Sequence, residues 1–236
     1  MPAMTGVIGS LVLGYVIGAI PCGYLIVRFS HGKNILAIGD GRPGAANTFR
    51  EIGPAWGILT GALDMAKGTL VAWLAHRLGR PVDACLLAAA LGLAAGHNWS
   101  VFLQFRGGDG AGVTVGVYAL LMPAMLMLML GMYLLFLLFW YLRIRPFYLY
   151  HMYNWQTIFC LAPLPVFFRE EIFLLPRWGL APGTAFLLAV ILAVTGLIKQ
   201  LERYGFLFLF TPRDFDNKYA RRIARRGLNG PEDPTP

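Results

Sequence analysis

Charged side chains are scarce in this chain: they make up 14% of its 236 residues, against 57% that are hydrophobic. A soluble globular domain spends far more of its surface on charge, so that class is excluded. Cysteine is nearly absent too. Cys22, Cys85 and Cys160 stand far apart in apolar runs, which gives neither a disulfide framework nor a ligand set and marks them as packing residues. Histidine is limited to four, and none has a second His or Cys at metal-ligand spacing, so no metal site is expected. The N-terminal apolar run has no basic leader and no clear cleavage site, and it reads as a retained first span. The net charge of +8 does not point to nucleic acid, because eight of the twenty Lys and Arg lie from Lys199 onward. They form a basic tail of the kind that faces the cytoplasm.

What is present is long apolar sequence, with a mean hydropathy of +0.60. The fold class expected is all-α: a polytopic membrane helical bundle of about seven transmembrane helices, one of them short or half-spanning. The first span covers about 5–29, with Gly14 and Gly18 spaced for close helix contact and Pro21 kinking its far end. The second covers about 55–76 and the third about 82–105. Pro123 splits the next apolar run into a short fourth span from Val113 and a fifth ending at Leu142. A sixth covers about 152–168 and a seventh about 182–200. The domain reading is an integral membrane domain over 1–212 and a basic cytoplasmic tail over 213–236, able to rest on anionic lipid. The Met-rich run Met122 to Met132 reads as lipid-facing filler.

With the N-terminus outside, seven spans put Arg28, Lys33, Arg42, Arg50, Arg106, Arg143, Arg145 and the C-terminal basic residues on the cytoplasmic face. Only Arg77, Arg80, Arg169 and Arg177 fall outside, as the positive-inside rule asks. The polar loops then share one face. The first, Ile38 to Arg50, holds Gly39, Asp40, Gly41, Arg42, Gly44, Asn47 and Arg50. Glycines let backbone N–H groups approach an anion, and the two arginines carry the charge a phosphate attracts. The second holds Arg106, Gly107, Gly108, Asp109 and Gly110, which fits an anion cradle or a plain helix connection. The carboxylate of Asp109 repels phosphate unless a cation intervenes. Inside the second span, Asp64 and Lys67 share a helix face and must point into the bundle, as a structural ion pair or toward a ligand. His97 and Asn98 interrupt the third span, to hydrogen-bond a neighbouring backbone or to act on a substrate.

These blocks, in this order, resemble the bacterial membrane acyl-phosphate:glycerol-3-phosphate acyltransferases of the PlsY type. The resemblance covers about the first half of the chain. It is carried by Ile20-Pro21-Cys22-Gly23-Tyr24-Leu25; by Ile38-Gly39, Gly41, Pro43-Gly44-Ala45, Asn47 and Arg50; by Leu63-Asp64 with Lys67-Gly68; and by Gly96-His97, Val101-Phe102, Phe105, Gly107-Gly108 and Gly110. It implies an enzyme of phospholipid biosynthesis in the cell membrane. That enzyme passes an acyl group from acyl phosphate to the sn-1 hydroxyl of glycerol 3-phosphate, giving lysophosphatidate, without a cofactor. It implies catalytic roles for Asn47, Arg50 and His97. Phosphate binding falls to Gly39, Asp40, Gly41, Arg42, Gly44, Lys67, Arg106, Gly107, Gly108 and Gly110, with Asp64 structural or orienting. The chain departs from the family's pattern at Asp40, Arg42 and Ala46, where the family has Ser, Asn and Thr, and at Asp109, where it has Lys. The Ser turn after the fifth span is replaced by residues 143–148, and 199–204 lack the family's last His and Asn. Two other readings stand beside the enzyme: an inactive family member that binds a phospholigand or lipid as a membrane scaffold, and a small transporter with Asp64 and Lys67 lining its pathway.

Overall fold

In a computed structural model the described residues are 2–142, 178–181 and 183–204. The expected sixth span, the turn at 143–148 and the tail 213–236 lie outside them. The chain divides into two compact units, Met1–Lys199 and Gln200–Pro236, and the site lies wholly in the first. Among the described residues every regular element is helical: α1 Pro2–Ala19, α2 Cys22–His31, α3 Ala45–Glu51, α4 Pro54–Leu78, α5 Val82–Asn98, α6 Ala111–Leu121, α7 Pro123–Tyr141 and α8 Thr184–Tyr204. Two stretches, Ala3–His31 and Pro54–Leu78, are long and apolar enough to cross a bilayer.

Glycine lets α1 and α5 pack closely. A Cβ at Gly14 or Gly18 of α1 would strike the carbonyls of Ala89 or Leu93 on α5, and one at Gly92 or Gly96 of α5 would strike those of Leu11 or Tyr15 on α1. The two helices run parallel, each presenting small residues four apart, as the spacing of Gly14 and Gly18 predicts. The Tyr15 hydroxyl adds a 2.9 Å hydrogen bond to the Trp99 carbonyl. This register brings the end of α1 level with the end of α5.

Pro21 does more than kink the first span. It has no N–H, and the Cys22 N–H turns back to the Ile20 carbonyl at 3.1 Å, so α1 ends and α2 begins anew. The carbonyls left behind find side-chain donors. Lys67 Nζ reaches Ile20 O at 2.7 Å and Gly18 O at 3.2 Å, and Ser100 Oγ reaches Ala19 O at 2.5 Å. An ammonium is well placed at the negative end of a helix.

The third span is shorter than expected. It ends at Asn98, not Phe105, because the chain turns at Trp99 and folds back so that Ser100 pairs with Arg106. The reading of the Met-rich run as lipid-facing filler is corrected as well. Met122, Met125 and Met129 are buried in the core cluster that also holds residues of α4, α5, α6 and α8, while Met127 is exposed. The spacing of three and four puts the buried methionines on one inward face, where their flexible side chains fill the core.

Candidate functional site

The first loop is organised around Asn47, whose side chain is buried. Its Oδ1 accepts the Asp40 N–H at 3.0 Å, and its Nδ2 donates to Ile38 O at 3.1 Å, Arg42 O at 3.0 Å and Ile35 O at 3.4 Å. One amide thus ties the loop to the first turn of α3. Gly39 and Gly41 take left-handed backbone at φ +57° and +72°, and a Cβ on Gly39 would collide with Asn47 Oδ1. Glycine is therefore required at Gly39 on two counts. Gly44 is the residue capping α3.

The charges of this loop are already matched. Asp40 Oδ2 takes Arg42 Nη2 at 2.5 Å and Arg50 Nη2 at 2.7 Å, and Asp40 Oδ1 takes the Arg42 N–H at 3.1 Å. Arg42 Nη1 reaches Asp109 Oδ2 in the second loop. The cation that Asp40 and Asp109 attract is the guanidinium of Arg42. Burial pushes the Asp40 carboxyl up, but the hydrogen bond and charge of Arg42, with the charge of Arg50, outweigh it and hold the pKa below the usual carboxylate value.

The second loop is wrapped onto the last turn of α5. The Gly108 N–H donates to His97 O at 3.1 Å. A Cβ on Gly107 would meet the carbonyls of His97 and Asn98, and one on Gly108 would meet His97 Nε2. Gly110 takes φ +80° at the start of α6. Arg106 is exposed and forms no ion pair among the described residues.

Beneath the loops lies a buried charged cluster. Asp64 Oδ1 is 3.0 Å from Lys67 Nζ and 3.8 Å from His97 Nδ1. The first is an ion pair; the second is too long for a direct hydrogen bond. These three side chains line a small cavity with room for about one water molecule, about 10 Å³. Its wall includes the broken end of α1, Pro43 of the first loop, Ser100, and Gly107 and Gly108 of the second. Asp64, Lys67, His97, Gly107 and Gly108 thus converge on one cavity. Asn47, Arg42, Arg50, Arg106 and the glycines of the first loop are not among its lining residues. Ser100, which sequence reasoning passed over, holds α1 and lines the cavity; its place directly after His97-Asn98-Trp99 is the signal that could have marked it.

Helices packed through glycine, a broken first span and buried charges under two glycine-rich loops define an integral-membrane helical protein with a polar site at one end of the bundle. A family model described as "Glycerol-3-phosphate acyltransferase" matches residues 8–204, and the chain belongs to that family. It is 40% identical over 114 residues, 48% of this chain and 58% of the relative, to "Glycerol-3-phosphate acyltransferase 2" of Moorella thermoacetica. It is 39% identical over 132 residues, 55% of this chain and 69% of the relative, to "Glycerol-3-phosphate acyltransferase 4" of Dehalococcoides mccartyi. The chain thus spans 58% of the length of the Moorella relative. Its fold is similar to the crystal structure of PlsY, an integral membrane glycerol 3-phosphate acyltransferase, in its glycerol 3-phosphate form, with a TM-score of 0.67. Identity there is 22%, covering 86% of this chain and 92% of the other.

Proposed function

We propose that the protein transfers an acyl group from acyl phosphate to the sn-1 hydroxyl of glycerol 3-phosphate, giving lysophosphatidate and inorganic phosphate. The observation that carries this is the meeting of both glycine-rich loops over the Asp64–Lys67–His97 cavity at the broken end of α1. The acceptor hydroxyl oxygen attacks the acyl carbonyl carbon, the bond from that carbon to the phosphate oxygen breaks, and the departing phosphate takes the hydroxyl proton. Acyl phosphate is already activated, so holding the two substrates together and stabilising charge supplies most of the rate.

Arg50 and Arg106 suit the phosphates: one is half-exposed with a single carboxylate contact, the other exposed and unpaired among the described residues. His97, with Asp64 beside it, faces the reacting end of the cavity. Lys67 holds the break in α1 open toward that cavity. Asn47 acts through the loop it pins, as a positioning residue. Loops and tail face the cytoplasm, the N-terminus lies outside, the bilayer holds the acyl chain, and the tail at 213–236 rests on anionic lipid.

The test is conversion of acyl phosphate and glycerol 3-phosphate to lysophosphatidate by the folded protein in detergent, with complementation of a strain lacking this acylation. Folded protein without turnover would sink the reading. A second reading, a family member that binds a phosphorylated ligand without chemistry, draws on the neutralised loop, where Arg42 and Arg50 already hold carboxylates. It predicts glycerol 3-phosphate binding without product. A transport pathway through Asp64 and Lys67 is disfavoured, because Lys67 is committed to the carbonyls of α1.

A further inference from the structure

Arg42 stands between two loops that are each fixed from elsewhere. Asp40 is set by its N–H on Asn47 and by Arg50. Asp109 lies between Gly108, pressed against the His97 ring, and Gly110, pressed against the Asn98 amide. Little slack remains in either carboxylate. One guanidinium joins them, one N–H group to each, and Arg42 lies 67 positions from Asp109 in the sequence. A planar fork with fixed donor directions suits that bridging task; a single ammonium does not. The formal charges of Arg42, Arg50, Asp40 and Asp109 sum to zero, so a phosphate arriving at Arg42 must compete with two carboxylates already seated there.

We propose that Arg42 is a positioning residue, clasping the first loop to the second through Asp40 and Asp109 above the cavity, and that it does not hold substrate phosphate. This rests on the acyl-transfer reading. Asp109 is then a working part of the site, the anchor that fixes where Gly107 and Gly108 meet His97.

Steady-state kinetics of Arg42→Ala, Arg42→Lys, Asp109→Asn and the double variant Arg42→Ala/Asp109→Asn test it in the full-length protein. A positioning role lowers kcat about tenfold or more, leaves KM for glycerol 3-phosphate within about twofold, and is not rescued by Lys. The double variant is then no worse than the worse single, because both remove one contact. A phosphate-binding role predicts the opposite: KM rises about tenfold in Arg42→Ala with kcat intact, Lys restores it, and Asp109→Asn tightens KM by freeing the guanidinium. That pattern overturns the proposal. Amide hydrogen exchange supplies an arm independent of turnover. Arg42→Ala should speed exchange across 38–50 and 106–112 while α4 and α5 stay protected; unchanged exchange in both loops also overturns the clasp. If the wild-type protein shows no turnover at all, the acyl-transfer reading fails, and hydrogen exchange still decides whether Arg42 joins the loops.

Discussion

Lys67 shows how one side chain serves two ends. Its ammonium satisfies two carbonyls exposed by Pro21 and neutralises Asp64, which otherwise sits buried and unpaired. Removing one member of a buried pair leaves the other charge stranded. Lys67→Met should therefore destabilise the protein by roughly 3–5 kcal/mol, read as a lowered Tm in detergent, and Lys67→Met/Asp64→Leu should recover part of the loss. Asn47→Ala removes the loop's central amide and should cost about 1–3 kcal/mol, with turnover falling more steeply than Tm. Arg50→Ala should lower turnover strongly, whereas Arg77→Ala, stacked over Trp73 at 5.9 Å on α4, should leave it unchanged. Asp40 gives the pH dependence its sign. Its folded pKa lies below the unfolded value of 3.8, so its ion pairs contribute fully above that value and are lost as pH falls through the folded pKa. Loop protection measured by hydrogen exchange should hold steady from pH 8 to about 5 and fall only in acid below about pH 4.

Elements were legible in the sequence where periodicity and composition speak for the backbone. The first span's close contact followed from Gly14 and Gly18 and the split at Pro123 from the missing N–H, while Pro21 marked a kink where the helix in fact ends and begins anew. What stayed hidden was set by packing. His97 and Asn98 interrupt the run from Val82 to Phe105 but do not by themselves stop a helix; the turn exists because Ser100 reaches the α1 carbonyl and Arg106 pairs back. Nor does a methionine run say which face is inward until its neighbours are known. The site was half legible. Residue types and order located both loops and the buried charges, but the pairing of Arg42 with Asp109 joins distant positions, and local reading made Asp109 an obstacle to phosphate. The glycines offer a test at this scale. Gly96→Leu should separate α1 from α5 and sharply reduce the yield of folded protein, since the added side chain meets the Tyr15 carbonyl.

At the scale of the molecule, the parallel pairing of α1 and α5 fixes a height. Four glycines hold the two helices in one register, so the broken end of α1, His97 and both loops arrive at the same level along the bundle axis. The helices act as a ruler. In the proposed reaction a water-soluble phosphate and a lipid chain meet only at a boundary, and the helix register sets how far from that boundary the reacting carbon would lie, independent of the loops' own sequence. Adding a helical turn to α1 ahead of Gly14 alone should leave that depth unchanged. Adding one between Gly18 and Pro21 should displace the break from Lys67 and leave a protein that inserts but does not turn over.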